Sequence, residues 1–119
     1  MTDQELSDRN PLVEAGVPAV GVIDAELAGH RRSQYMTSMA VLARRRRLWL
    51  ARILVLGTLD IAVTQQLSAV LPAAGAAAVI APSVNHLRGA HRWVTEHADL
   101  YVVRPLRIYR RGYQWSAPI

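Results

Sequence analysis

The stretch Arg44-Arg45-Arg46-Arg47-Leu48-Trp49-Leu50-Ala51-Arg52-Ile53-Leu54-Val55-Leu56-Gly57-Thr58-Leu59-Asp60 sets four arginines directly against an apolar run. The run continues, little interrupted, to about Val84, and its reading decides the fold. From residue 48 to residue 84 the only charges are Arg52 and Asp60. A membrane-spanning helix needs about 20 apolar residues, and Leu48–Val70 is long enough. Arg44, Arg45, Arg46 and Arg47 cover a full helical turn and point in every direction. A soluble helix packed along one side would bury at least one of them, whereas a helix crossing a headgroup layer would bury none. The run therefore reads as facing lipid.

Pro72 and Gly75 make a natural break, and a second helix from about Ala69 to Leu87 is marginally long enough to return. The expected fold is all-α: a helical hairpin of two apolar, membrane-spanning helices over residues 48–87. Arg88 and Arg92 follow the run as Arg44–Arg47 precede it. The positive-inside rule then places both termini in the cytoplasm. Trp49 and Trp93 fall near the two proposed interfaces, and Arg52 is close enough to one end to snorkel. Asp60, Gln65 and Gln66 oppose this reading, because a mid-helix Asp costs about 3 kcal/mol on insertion scales.

Within the first apolar helix Gly57, Asp60, Thr64 and Ser68 are spaced to share one side. Small and polar residues on one face suit close helix–helix packing, so these four are the expected helix-packing or partner face. An intramembrane carboxylate is functional by default, although Asp60 has no second membrane acid with which to form a proton relay.

Outward from the run, the 119-residue chain reads as a single domain with four parts. Residues 1–23, with Pro11, Gly16, Pro18 and Gly21, read as an irregular acidic arm. Residues 24–47 read as an amphipathic helix with Asp24 as N-cap, carrying the apolar arc Tyr35, Met36, Met39, Leu42 and Ala43 and ending in the Arg cluster. Residues 88–119 read as a basic, aromatic, short extended tail after the hairpin of 48–87. In that tail Arg107, Tyr109, Arg111, Tyr113 and Trp115 alternate onto one face. Such interleaving suits an anionic membrane surface, a single-stranded nucleic acid or an edge strand added to a partner.

Charge is unevenly placed. Residues 1–26 hold six of the nine acids against Arg9, and the remainder holds thirteen arginines and no lysine. Arg suits bidentate contact with phosphate, although eighteen alanines beside fourteen arginines are also what a GC-rich coding bias produces. The expected contacts to anionic lipid or phosphate are Arg44–Arg47, Arg88, Arg92, Arg107, Arg110 and Arg111. Trp49, Trp93, Tyr109, Tyr113 and Trp115 are the expected interface aromatics. The acidic N-terminus lacks the basic and apolar regions of a secretory signal.

Without cysteine, disulfides, thiolate catalysis and Cys-based zinc sites are excluded. His30, His86, His91 and His97 lack the i, i+3 or i, i+4 spacing of helical metal ligands. No serine sits in a nucleophile elbow, and there is no Gly-rich phosphate loop. No catalytic residue, cofactor or metal is expected. The expected function is a small, non-catalytic integral membrane protein, an accessory or assembly subunit of a larger complex. Its partners would be other protein subunits and anionic lipid headgroups, in a hetero- or homo-oligomer of the cytoplasmic or inner membrane. The alternative is a soluble, helical, Arg-rich structural protein of a virion or cytoplasmic nucleoprotein, oligomeric and in contact with nucleic acid.

Overall fold

The apolar run resolves into a strand, a helix and a second strand. The computed structural model describes residues 16–58 and 62–116. Its elements are β1 (Val17–Asp24), the single turn α1 (Ala25–Ala28), α2 (Arg32–Arg45), β2 (Leu48–Leu56), α3 (Val63–Ala74), β3 (Ala78–Ala81), α4 (His91–His97), β4 (Asp99–Val102) and β5 (Arg107–Tyr109). Short 3-10 turns, Gly29–Arg31 and Val84–Leu87, precede α2 and follow β3. The fold is α/β, not all-α. No helix among the described residues is long and apolar enough to cross a membrane. The spanning hairpin over 48–87, and the membrane localisation with both termini cytoplasmic, therefore do not hold.

The physical reason lies in the sheet. Its order is β2-β1-β3-β4-β5, with β5 alone antiparallel. Parallel strands covered on both faces carry apolar residues at every position, so they read as unbroken hydrophobic runs. Val17–Asp24, assigned from its Pro and Gly to an irregular arm, is such a strand, and every residue from Ala19 to Asp24 is buried. Pro18 is tolerated near the strand's start, and Gly21 is required by the packing described below. Residues 1–15 lie outside the described residues.

The chain moves from β1 to β2 in one direction and from β2 through β3 to β4 in the other. Right-handed crossovers place α2 on one face and α3 and α4 on the opposite one. Two cores follow. On the first face Met39, Leu42 and Ala43 of α2 cover Ala19, Ile23, Ile80 and Tyr101. On the second, Leu67 and Leu71 of α3 and Val94 of α4 cover Val20, Val22, Leu54, Val79 and Leu100. The arc read from residues 35 to 43 is thus the packed side of α2, with Tyr35 and Met36 half-buried at its margin.

Local signals set the boundaries. α2 ends at Arg45, and Arg44 and Arg45 occupy its last turn, where cations complement the helix dipole. Arg46 is the C-cap and Arg47 takes a positive φ of 58°, which turns the chain into β2. All four arginines are exposed. The inference that one of them must be buried fails because the helix does not continue past them. Pro72 stands inside α3 rather than at a hairpin turn, and Gly75 closes that helix in the left-handed conformation.

In β2 the register with β1 shifts between Ala19 and Val20, leaving Ala51 unpaired as a bulge. The bulge moves Leu50 and Ile53 to the α2 face and Leu54 and Leu56 to the other. It also leaves Arg52 exposed on an edge strand, where a charge discourages pairing with another chain.

At Gly21 the side chain of Met39 on α2 comes close to the sheet backbone. A Cβ added there would lie 2.7 Å from Met39 Cε and 3.3 Å from Ile53 Cγ1 and Leu50 Cδ1. Gly21→Val should overpack the α2 core and cost about 1–3 kcal/mol, read as a lower urea midpoint at unchanged m-value. Gly21→Ala should cost less, because Met39 Cε is the mobile end of a flexible side chain. Equal stability of the valine variant and the wild type would show that α2 does not pack at this distance.

Candidate anion-binding site

Strand order reverses direction between β1 and β3. In open α/β sheets, ligands bind outside the carboxyl ends of the strands at such a switch point. Asp24 ends β1 there. Its Oδ1 accepts from the backbone N–H groups of Glu26 and Leu27 at 2.9 and 3.2 Å, capping α1. Its Oδ2 accepts from Arg88 Nε at 2.7 Å. Arg88 comes from the turn after β3, in the left-handed region (φ 52°), which costs a non-glycine residue about 1–2 kcal/mol. That conformation accompanies a guanidinium that also donates to the carbonyls of Leu56 and Gly57 at 3.3 and 2.9 Å. One side chain thus joins the ends of β1 and β2 to the turn beyond β3. Its hydrogen bond holds the Asp24 carboxyl below the usual carboxylate range.

His86 lies beside this staple, buried. Its Nδ1 accepts the Asp24 backbone N–H at 2.9 Å, so the ring proton resides on Nε2. Tyr35 meets the ring edge-on at 5.5 Å. Burial pushes the His86 pKa below its ordinary value.

On the far side of His86 opens a cavity of about 450 Å³. Arg31, Gln34, Tyr35 and Ser38 supply the wall from the α2 side. Pro82, Ser83 and His86 supply the wall after β3, and Val103 and Arg104 close it from the turn after β4. Arg31 and Arg104 are exposed, and neither guanidinium has a partner among the described residues. No carboxylate among the described residues lines the cavity. Its polar groups are therefore two free guanidiniums, hydroxyls, an amide and one imidazole N–H, a set suited to an anion.

Protonating His86 would remove the acceptor that satisfies the Asp24 N–H. Because the folded state favours neutral His86, the unfolded chain binds more protons below the ordinary value of 6.5, and stability falls as pH drops through that region. His91, whose pKa is lowered by burial and then by Arg92, adds the same sign. Asp24, depressed from 3.8, extends the loss at lower pH as it protonates. We expect a flat thermal midpoint above about pH 7 and a decline towards about pH 5. His86→Asn, whose Oδ1 can accept the same N–H, should make the decline shallower. An unchanged slope in that variant would remove His86 from the account.

The residues expected from sequence to form sites fall elsewhere. Gly57 is in the loop beyond β2, Thr64 and Ser68 are on α3, and Ser68 is exposed. Thr64 and Ser68, four positions apart, share a face of α3, but Gly57 is not on that helix, and Asp60 lies outside the described residues. Arg88 is held by Asp24, and Arg92 donates to the Ser116 carbonyl at 3.0 Å. Arg107 donates to the Leu106 carbonyl, Arg110 to Asp99 and Tyr101, and the Arg111 backbone N–H to Asp99. Of the aromatics, Trp49 is half-buried in β2 and Trp93 stacks on His97 at 4.1 Å.

The tail docks on its own chain. Tyr109, Tyr113 and Trp115 cluster together, and Trp115 Nε1 donates to Thr95 of α4 at 2.9 Å. Within the alternating segment 107–115, Arg107–Tyr109 is a strand and pairs with β4.

The residues that sequence reading missed are Arg31, Ser83, His86 and Arg104. The available signal was positional: Asp24 directly after Val-Gly-Val-Ile, and Pro82-Ser83 directly after Ala-Val-Ile-Ala, both mark strand ends. Comparison with protein-family models, curated proteins and solved structures returned no match.

Proposed function

We propose that the protein binds a small phosphate-bearing ligand at the switch point and does not transform it. The observation that carries this reading is the cavity lined by the guanidiniums of Arg31 and Arg104, which have no partner among the described residues, and by no described carboxylate. Its volume, about 450 Å³, lies within the range of small-molecule sites. The His86 Nε2–H adds a neutral donor, and Tyr35 adds an aromatic surface.

The tautomer argues for binding over catalysis. With Nδ1 occupied by the Asp24 N–H and the proton on Nε2, His86 has no lone pair with which to accept a proton from a substrate or a serine. Ser38 and Ser83 hydrogen-bond to no base among the described residues. This proposal carries over the non-catalytic role expected from the sequence and moves the arginine–phosphate contact to Arg31 and Arg104.

Thermal unfolding with adenosine monophosphate, inorganic phosphate and adenosine tests the reading. At about ten times Kd a ligand adds about 1.4 kcal/mol, a shift of several degrees for a domain of this size. The monophosphate and phosphate should raise the midpoint and adenosine should not. Equal shifts from adenosine and its monophosphate would contradict phosphate recognition.

A further inference from the structure

The pocket at the switch point does not end at Arg104. Two adjoining depressions, of about 500 and 280 Å³, continue along α2. All three share Ser38, and neighbouring ones share Gln34, Thr37, Val103 or Arg104. Together they make one trough between α2 and the turn after β4. Arg31 stands at its pocket end, Arg104 at the level of Gln34 to Ser38, and Arg45 at the far end. Fourteen helical positions separate Arg31 from Arg45, or about 21 Å. No acidic residue among the described ones lines any part of it.

We propose that this trough holds a single-stranded nucleic acid, its terminal phosphate in the pocket and its backbone following Arg104 to Arg45. The proposal rests on the phosphate-binding reading of the pocket and names its ligand class. Three features favour this occupant. Arg31 and Arg45 stand on the α2 bank and Arg104 on the opposite one between them, so one phosphate backbone running between the banks can meet all three in turn. The donors between them are side-chain hydroxyls and amides of Ser33, Gln34, Thr37 and Ser38, with no open strand edge of the kind that captures an extended peptide. Val41 and Leu106 expose apolar surface on opposite banks, 39% and 51% accessible, where unstacked bases can shed water, and Tyr35 offers a ring at the closed end. The length suits about four nucleotides, the lower end of known single-strand sites.

The test uses the full chain and 5′-phosphorylated oligothymidylates labelled at the 3′ end, read by fluorescence anisotropy. Affinity should rise with length to about four nucleotides and then level off. The slope of log K against log salt should be about −2 for three phosphate contacts. Arg45→Ala should weaken the tetranucleotide about tenfold and make the slope shallower by about 0.7, leaving adenosine monophosphate binding unchanged. Arg46→Ala, exposed but off the trough, should do neither. The trough is overturned, with the pocket intact, if the monophosphate binds and length or Arg45 makes no difference. It is likewise overturned if Arg46→Ala matches Arg45→Ala, or if duplex DNA or polyglutamate competes as well as the single strand. If the monophosphate itself does not bind, the pocket reading fails as well.

Discussion

Arg88→Met is expected to lower the unfolding free energy by about 3 kcal/mol, among the largest effects of any single substitution here. Removing one partner of a buried ion pair costs about 3–5 kcal/mol, because the remaining charge is left unpaired. The Arg88 side chain is 27% exposed, so the lower end of that range applies. Asp24 would keep only its two backbone donors, and the carbonyls of Leu56 and Gly57 would each lose a charged donor. Asp24→Asn in the same background should recover part of the loss, since the amide oxygen still caps α1 and no buried charge remains. A double-mutant cycle by urea unfolding measures the coupling, expected at about 1–3 kcal/mol. A loss below about 0.5 kcal/mol for Arg88→Met, the level of an ordinary surface change, would mean that the staple does not hold the strand ends.

The second large effect is on binding. Arg31→Ala combined with Arg104→Ala should weaken a phosphomonoester by at least about a hundredfold. Each charge-assisted hydrogen bond contributes about 1.5–3 kcal/mol, and about 1.4 kcal/mol is tenfold in affinity. Both side chains are exposed, so stability should change by no more than about 0.5 kcal/mol. Calorimetric titration with adenosine monophosphate reads the first number and thermal unfolding the second. The same titration on Arg44→Ala combined with Arg46→Ala should be indistinguishable from wild type. A similar loss in both double variants would reduce the pocket to one part of a general positive field.

Why the fold was hard to read follows from particular residues. Leu48–Leu56 is nine residues long, a normal strand length, and Gly57-Thr58 after it is a turn signal. A short apolar run bounded by such signals is open to helix or strand. The four arginines before it favour lipid only if one helix runs through them, whereas α2 ends at Arg45. Val17–Asp24 was obscured by Pro18 and Gly21, yet Gly21 is buried beneath Met39 because a side chain would not fit. The helical stretch around α2 and the capping role of Asp24 were legible, since both depend on local sequence.

The site was less legible because its contacts are not local. Asp24 and Arg88 are 64 positions apart and Asp24 and His86 are 62 apart. Arg31 and Arg104 meet across the cavity only when β4 is placed beside β3. The spacing of His86 in the sequence bears on metal ligation alone and says nothing about a ring whose partner is a backbone N–H on another strand.

Whether the switch-point pocket is the ligand site is tested most directly by following backbone amide signals in 1H–15N spectra during titration with adenosine monophosphate. The account predicts that the largest shifts fall on residues 31–38, 83–86 and 103–104, with the His86 Nε2–H moving as it gains an acceptor. Largest shifts at Arg44–Arg47 or Arg110–Arg111, with the pocket residues unmoved, would contradict it.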